Sequence, residues 1–251
     1  MSATTHPSTP SASSGANPSK GSGTPSASSG APKKPRPKVA HTYGAKDISR
    51  WSFEENTLPE PWASHLCILP KRFTMYVDGD PGHGKTEYQI QIARVLAEHF
   101  GKVRLNNVEQ GKHVQIKASV MRNDIASLKG GKFAYCSISN FEKYVEQLKR
   151  PNSGRVQIID SISFFPLSEQ QIQKLFTMFP NKSFILVAYK AHFAKNAEIR
   201  HLCDIKVRVE NFVAHNNGSN RMGGTADHII WQRPKKTNGQ LSLMQPLNEI
   251  I

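Results

Sequence analysis

The chain alternates short apolar runs with segments whose apolar residues recur at helical spacing, and this pattern begins near residue 73. Such runs predict strands buried on both faces of a sheet, and the segments between them predict amphipathic helices. The predicted strands are residues 73–77, 103–108, 133–138, 155–161, 183–188, 204–210 and 226–232. The predicted helices are residues 86–100, 113–124, 140–149, 166–179 and 199–202. The alternation predicts an α/β fold with a mostly parallel central sheet flanked by helices.

The last two predicted strands follow a different pattern. Residues 204–210 (DIKVRVE) alternate apolar and charged side chains, which is typical of a half-exposed strand. The turn-rich sequence HNNGSNRMGG at 215–224 separates them from the final apolar run. The sequence therefore predicts terminal antiparallel strands joined by a hairpin loop.

The N-terminal part of the chain has no such pattern. Residues 1–38 repeat TPSASSGA at 9–16 and 24–31, contain no acidic residue and end in KKPRPK. Small and polar side chains cannot bury enough apolar surface to offset the entropy of ordering, so this stretch predicts a disordered arm. It lacks the apolar region of a secretory signal. We predict four parts: the arm (1–38), a linker or docking segment (39–64), one folded domain (65–235) and a C-terminal tail (236–251).

The charge of the chain favours an anionic partner. Lys and Arg number 33 against 19 Asp and Glu, a net charge of +14; five positive charges lie in the arm, which leaves +9 for the rest. The anionic partner of a basic protein is most often nucleic acid; the alternative is that many soluble proteins are basic without such a partner. No apolar run is long enough to span a membrane. Three distant cysteines indicate neither a disulfide framework nor a zinc site, which suits a reducing, cytoplasmic setting.

A glycine-rich segment lies between the first predicted strand and the first long helix. It fits the pattern G-x-x-x-x-G-K-[ST] of a Walker A loop at every position, and its order of strand, loop and helix is the one the motif requires. Glycines let backbone N–H groups converge on phosphate oxygens, and a helix that starts there directs its dipole at the anion. The pattern predicts ATP with Mg²⁺, Lys85 on the β- and γ-phosphates and Thr86 on the metal. The predicted nucleotide-binding residues are Gly79, Asp80, Pro81, Gly82, His83, Gly84, Lys85, Thr86 and Glu87.

A second chemical signal is the acid near the end of the apolar run 155–161. Asp160 is expected at the carboxyl tip of a buried parallel strand, where α/β sheets gather their ligands. This position suits a carboxylate that helps Thr86 to hold magnesium, the Walker B role. A helix N-cap after a strand is the alternative interpretation of Asp160.

Together these features resemble the core of RecA/RadA-like P-loop ATPases over residues 65–235. The resemblance rests on the Walker A loop, on the strand QIIDSI around Asp160 and on the stretch VAYKAHFAKNAEIRHLCDIKVRVE. It implies a RecA-like core that carries its nucleotide between the subunits of a homo-oligomeric ring or filament. No four-cysteine zinc element or protease-like tail is expected, so the chain is similar to minimal single-domain members of phages and mobile elements.

The resemblance also implies roles for single residues. Glu109, at the tip of the second strand, would be the base that orients the attacking water. Tyr189 stands where the family usually has a polar γ-phosphate sensor, which is a departure. Arg221, in the stretch Ser219-Asn220-Arg221-Met222-Gly223, matches the family arginine that reaches a neighbouring subunit's nucleotide, although Ser219 replaces the family lysine. The basic segment 190–198 would be a DNA-contacting loop; a solvated loop is the alternative.

The sequence thus predicts an ATPase that acts in DNA metabolism through ATP-coupled DNA binding, with Lys85, Glu109 and Arg221 as catalytic residues. Two other functions stay open. A nucleotide-dependent assembly or binding module with little turnover is favoured by Tyr189 and Ser219. A small-molecule P-loop kinase shares the Walker A loop, although the sequence shows no arginine-rich lid helix.

Overall fold

The computed structural model describes residues 42–192, 196–216 and 224–231, without the side chain of Ala191. The chain divides into a unit that ends at Arg50 and a larger unit that begins at Trp51. In the first unit, the described residues form a single helical turn, α1 (Ala45–Ile48). The predicted arm (1–38), the tail (236–251) and the loop 217–223 lie outside the described residues, and the four-part division stays a prediction.

The larger unit alternates strands and helices. Its strands are β1 (Glu55–Asn56), β2 (Leu69–Pro70), β3 (Thr74–Gly79), β4 (Val103–Asn107), β5 (Phe133–Cys136), β6 (Val156–Asp160), β7 (Ser183–Tyr189), β8 (Ile205–Glu210), β9 (Val213–His215) and β10 (His228–Ile229). Its α-helices are α2 (Trp62–Leu66), α3 (Lys85–His99), α4 (Val114–Arg122), α5 (Phe141–Lys149), α6 (Glu169–Met178) and α7 (Ala197–His201). Two short 3₁₀ turns span Ile125–Ser127 and Lys190–His192.

Eight of these strands form one sheet in the order β10-β9-β8-β3-β7-β6-β4-β5. The six strands from β8 to β5 are parallel, and β9 and β10 are added antiparallel at one edge. The predicted α/β fold with a mostly parallel sheet and terminal antiparallel strands is confirmed. Because β7 lies between β3 and β6 and all three strands are parallel, their carboxyl ends lie side by side.

Each face of the sheet is covered by its own apolar cluster. Met75 and Val77 of β3 belong to a cluster that includes the apolar face of α3, whereas Tyr76 belongs to a second cluster with α5 and α6. Successive side chains of a strand point to opposite faces, so a strand covered on both faces needs an unbroken apolar run. This requirement explains why the central strands could be predicted from the sequence.

Several predicted boundaries were wrong by a few residues, for local reasons. The helix predicted from residue 166 begins at Glu169, because Ser168 and Gln171 form a capping box in which each side chain bonds the other's backbone (3.0 and 3.2 Å). The strand predicted to 138 ends at Cys136, and the backbone N–H of Ile138 donates instead to the Asn106 side chain at 2.7 Å. The helix predicted at 199–202 is α7, which begins earlier.

The antiparallel edge differs most from the sequence prediction. The strand predicted at 226–232 is only the two-residue β10, and its partner β9 was not predicted. Asn211 and Phe212 turn the chain between β8 and β9 with positive φ angles of 52° and 63°. Strands of two or three residues are too short to show a periodic pattern, so only their pairing defines them.

The segment before the first central strand packs on the core of this chain. Leu58, Trp62 and Leu66 belong to the same apolar cluster as α3. His65 is buried, and its ring lies 2.7 Å from the Ala226 carbonyl and 2.9 Å from the Tyr88 hydroxyl. Leu58, Trp62, His65 and Leu66 are therefore packed into the core of this chain. No helix in the described segments is both long and apolar enough to cross a bilayer.

Candidate functional site

The loop that joins β3 to α3 has the backbone geometry that its glycines predict. Gly82 and Gly84 have φ angles of 77° and 99°, a region in which a side chain is strained. Gly79 lies so close to β8 that a Cβ there would be 2.2 Å from the Val209 carbonyl oxygen. The helix begins at Lys85, so its free N–H groups face the loop. This arrangement has the geometry of a helix N-terminus that can bind an anion.

Lys85 is the buried cation of this loop. Its ammonium donates to the carbonyls of Gly79 and Asp80, both at 2.9 Å, and lies 4.9 Å from the centre of the Tyr189 ring. Burial lowers the pKa of Lys85, while the negative charges of Asp160 and Glu109 act in the opposite direction. The loop therefore holds a desolvated ammonium group that donates to neutral carbonyl oxygens. Phosphate oxygens could take the place of these carbonyls as acceptors.

Asp160 lies at the carboxyl end of β6, as predicted. It is 2% exposed, and the Asn107 side chain at the end of β4 donates to its carboxylate at 2.9 Å. Burial, together with the charge of Glu109, raises the pKa of Asp160 to about 7, against the effects of Gln89 and Lys85. The peptide bond after Asp160 is cis. The sheet thus presents a desolvated carboxylate next to the glycine-rich loop.

Glu109 lies just beyond the end of β4, and Tyr189 is the last residue of β7. The Tyr189 hydroxyl donates a hydrogen bond to the Glu109 carboxylate. Burial and this carboxylate both raise the pKa of Tyr189, so the phenol keeps its proton. Tyr189, at the predicted sensor position, is therefore hydrogen-bonded to Glu109, the predicted base.

Thr86 and Asp160 fit a magnesium ion by their chemistry. Both line the same cavity, and a hydroxyl and a carboxylate are oxygen donors of the kind that Mg²⁺ prefers. The described residues contain no group of three or more His, Cys, Asp or Glu side chains that could hold a metal by themselves. In a typical magnesium site of a nucleotide-binding protein, phosphate oxygens and water complete the coordination.

Glu87, predicted to contact the nucleotide, turns its carboxylate toward α4. It accepts hydrogen bonds from Ser119 (2.6 Å), Arg122 (2.8 Å) and Asn123 (2.6 Å). The side chain also lines the cavity, but its hydrogen-bonding capacity is used to fasten α4 to α3. What Glu87 can offer an anion at the loop is its backbone N–H in the first turn of α3.

The cavity beside the loop has a volume of about 380 Å³, and Phe212, Trp231 and Arg122 also line it. The rings of Phe212 and Trp231 are 5.6 Å apart, and the Arg122 guanidinium lies 4.8 Å from the Trp231 ring centre. We did not predict these three residues from the sequence. They come from separate elements far apart in the chain, and no spacing connects them before the chain folds.

Other predicted site residues fall only partly in the described structure. Arg221 and Ser219 lie outside the described residues, as does the part of the 190–198 loop that contains Lys195. The start of that loop is described: the Lys190 ammonium lies 3.6 Å from the Asp80 carboxylate and 3.4 Å from Glu210. The first turn after β7 is therefore tied to the glycine-rich loop by charge.

Comparison with known proteins finds no matching family model and no match among curated proteins. Among solved structures, the chain is similar to the flagellar accessory protein FlaH from Methanocaldococcus jannaschii (TM-score 0.47, 16% identity, 62% of this chain and 89% of that chain). It is also similar to the KaiC-like protein PH0186 from Pyrococcus horikoshii OT3 (TM-score 0.49, 18% identity, 62% and 80%). These distant likenesses assign no function to the site.

Proposed function

We propose that this chain is a RecA-like, magnesium-dependent P-loop ATPase that acts with DNA. The observation that supports this most is the meeting of three separate sequence signals at one cavity. Lys85 and Thr86 from the loop, Asp160 from β6 and Glu109 from the end of β4 all line it. A phosphate cradle, a metal-binding pair and a carboxylate that can orient water are the parts that phosphoryl transfer to water needs.

In this proposal the triphosphate lies over the N-terminus of α3. The N–H groups of the loop bind its oxygens, and the Lys85 ammonium leaves the Gly79 and Asp80 carbonyls to bind the β- and γ-phosphates. Because Lys85 is already desolvated, its interaction with phosphate is stronger than it would be in water. The nucleoside extends toward Phe212 and Trp231, whose ring faces suit the stacking of a base.

Thr86 and Asp160 would hold Mg²⁺, which supplies positive charge against the charge that develops on the transferred phosphoryl group. Glu109 accepts a hydrogen bond from the attacking water and orients it. For this the carboxylate must exchange its bond with the Tyr189 hydroxyl for one with water. Hydrolysis is thereby coupled to the end of β7 and the basic segment that follows it.

The proposed partner and assembly rest on charge and on the family resemblance. A net charge of +14 supports salt-sensitive binding of nucleic acid. The resemblance to RecA/RadA-like ATPases supports a ring or filament in which Arg221 reaches the nucleotide of a neighbouring subunit. Three distant cysteines support a location in the cytoplasm.

The test is ATP turnover by the wild type, Lys85→Ala and Glu109→Gln, each with and without single- or double-stranded DNA. We expect DNA to stimulate turnover in the wild type. Lys85→Ala should lose both nucleotide binding and turnover, whereas Glu109→Gln should bind ATP but hydrolyse it at least 100-fold more slowly, as expected for loss of a general base. A wild-type protein without affinity for ATP in magnesium buffer contradicts the proposal.

One observation favours a second function. The hydrogen bond from the Tyr189 hydroxyl engages the carboxylate of Glu109, the proposed base, so that it is not free to orient water. This suits a nucleotide-dependent assembly module with little turnover. The same assay separates the two, since such a module binds ATP and changes its oligomeric state without hydrolysis. Turnover stimulated by a small phosphate acceptor instead of DNA would indicate the P-loop kinase.

A further inference from the structure

Four neighbouring parallel strands are each directly preceded by a basic residue. Lys132 precedes β5, Lys102 precedes β4, Arg155 precedes β6 and Lys182 precedes β7. The strands also start in register, since Val103 pairs with both Phe133 and Val156, and Val156 pairs with Ser183. The four residues therefore form one line across the sheet edge opposite the glycine-rich loop; we call them the cationic row.

Three members of the cationic row share a cleft of about 430 Å³ at this edge. Half of its lining residues are basic, and none is acidic. The lining residues are Lys102, Leu148, Lys149, Arg150, Asn152, Ser153, Gly154, Arg155, Asn181 and Lys182. The neutral polar side chains of the cleft are those of Asn152, Ser153 and Asn181. The two asparagine amides can donate to phosphate oxygens, whereas the Ser153 hydroxyl donates to the Leu148 carbonyl (2.8 Å).

Two of these cations are held in place by uncharged groups. The Lys182 ammonium donates to the Ser153 hydroxyl (2.7 Å) and the Gly154 carbonyl (2.8 Å). The Arg155 guanidinium donates to the carbonyls of Phe100 (3.2 Å) and Lys71 (3.1 Å) and lies 4.4 Å from the Phe100 ring centre. Neutral acceptors fix the position of a cation without cancelling its charge, so part of the entropy cost of binding an anion has already been met on folding.

The positive charge of the row is largely uncompensated. Within the described part of the chain, Lys102, Lys132 and Lys182 have no carboxylate within 4.0 Å, and Glu54, which pairs with Lys71, only reaches Arg155 at 4.0 Å. Burial and the nearby charge of Arg104 lower the pKa of Lys182. The fold thus keeps like charges close together, and an anion bound between them would relieve that repulsion.

We propose that the cationic row binds the phosphate backbone of a nucleic acid strand, on the sheet edge opposite the ATP site. Strands are about 4.8 Å apart, so the row from β5 to β7 is about 14 Å long. At about 3.4 Å per nucleotide of a stacked strand, this length spans roughly four phosphates. The inference deepens the DNA-binding part of the proposed function and does not require that the chain hydrolyse ATP.

The chemistry of the cleft favours nucleic acid over an acidic membrane surface, which is also polyanionic. Its one apolar lining residue, Leu148, is 2% exposed and offers no wedge for a bilayer. The amides of Asn152 and Asn181 add directional donors at the rim, which suit phosphate and sugar oxygens. Its position away from the nucleotide leaves the ATP site accessible while a strand is bound.

The test is the affinity of the full chain for a labelled 20-nucleotide oligo-dT, measured by fluorescence anisotropy across a salt series. Lys102→Ala combined with Lys132→Ala should weaken binding at least tenfold near 100 mM salt. It should also reduce the slope of log K against log salt by roughly 1.4, at about 0.7 for each phosphate that the variant no longer neutralises. The matched control, Lys117→Ala with Lys143→Ala, removes two exposed lysines of α4 and α5 and should change the affinity less than twofold.

Two further measurements keep the test decisive. ATP affinity should be equal in both double variants, which shows that the fold is intact; a failure to bind ATP in the wild type would overturn the proposed function but not the row. Acetylation footprinting should show Lys102, Lys132, Lys149 and Lys182 protected by the oligonucleotide, with Lys117 and Lys143 unprotected. Protection confined to the lysines of residues 1–38, or binding to phosphatidylserine vesicles in place of the oligonucleotide, overturns the inference.

Discussion

The Tyr189 hydroxyl donates its hydrogen to the carboxylate of Glu109, and its ring also lies against the Lys85 ammonium. One side chain at the tip of β7 thus contacts both the proposed base and the proposed phosphate-binding cation. This contact occupies the carboxylate that would orient water in the proposed mechanism.

Tyr189→Phe is therefore expected to raise the basal rate of ATP hydrolysis. Loss of the hydroxyl removes one hydrogen bond to a charged group, which contributes about 1.5 kcal/mol, so Glu109 can turn to water with up to roughly tenfold higher kcat. The dissociation constant for ATP should stay within twofold, because the ring remains over Lys85. Stopped-flow phosphate release measures the rate. An unchanged or lower kcat would show that the hydroxyl does not restrain the base, and Glu109→Gln in the same background should abolish the gain.

Trp231→Ala should distinguish a nucleoside from a bare phosphate chain. The variant loses the ring that lies between Phe212 and Arg122, so affinity for ATP should fall about tenfold, at roughly 1–3 kcal/mol for a stacked base. Affinity for inorganic triphosphate should not change, because the Lys85 loop is untouched. Calorimetric titration with both ligands measures the difference. Equal losses for ATP and triphosphate would show that Trp231 supports the loop and does not stack on the nucleobase. Trp51→Ala is the matched tryptophan control.

Gly84→Ala is expected to damage the loop while sparing most of the fold. At φ 99° a side chain is strained, and its Cβ would lie 2.9 Å from Phe212 Cδ1. The combined strain of about 2 kcal/mol should weaken ATP binding at least tenfold, because the loop must distort to relieve it. Gly130→Ala is the control, since nothing lies within 4 Å of its Cβ position and its φ is not in the left-handed region. Equal ATP affinity in the two variants would contradict the geometry of the loop.

His228 predicts a loss of stability in mild acid. Burial, with a smaller effect of His65, lowers the pKa of His228 from 6.5 to about 4. Between pH 6.5 and pH 4 this histidine is therefore protonated in the unfolded chain but neutral in the folded chain. The contribution of His228 to the free energy of unfolding is thus fully present above pH 6.5 and declines toward pH 4, by up to about 3 kcal/mol. Asp160, whose pKa is raised, acts in the opposite direction.

Comparison of variants isolates the effect of this histidine. His228→Gln cannot titrate but can still bond Gln91, which now lies 3.0 Å from the His228 ring nitrogen. Its free energy of unfolding in urea should therefore depend less on pH between 6.5 and 4 than that of the wild type. His201→Gln, at an exposed histidine of α7, should follow the wild-type curve. Parallel curves for all three proteins would exclude His228 as the titrating group.

Much of the fold could be predicted because the central strands are buried on both faces. Each of these strands needs an unbroken apolar run. The start of helix α5 could also be predicted, because Asn140 is its N-cap and accepts a hydrogen bond from the Lys143 N–H at 2.9 Å. The edge strands β9 and β10 have no such constraint, since an edge strand can be short and mixed in composition. The same contrast holds in the site, where the loop and Asp160 carry local signals, whereas Phe212, Trp231 and Arg122 carry none.

The amino-acid sequence by itself determined the glycine-rich loop, the buried strands and the acid near the end of β6, because each depends on a few consecutive residues and on their local chemistry. Only the tertiary structure decided which distant groups meet. It joined Tyr189 to Glu109, fastened Glu87 to α4 and aligned Lys132, Lys102, Arg155 and Lys182 along one edge. Strand order and register set these contacts, and both arise from the packing of the whole sheet, which no local stretch of sequence specifies.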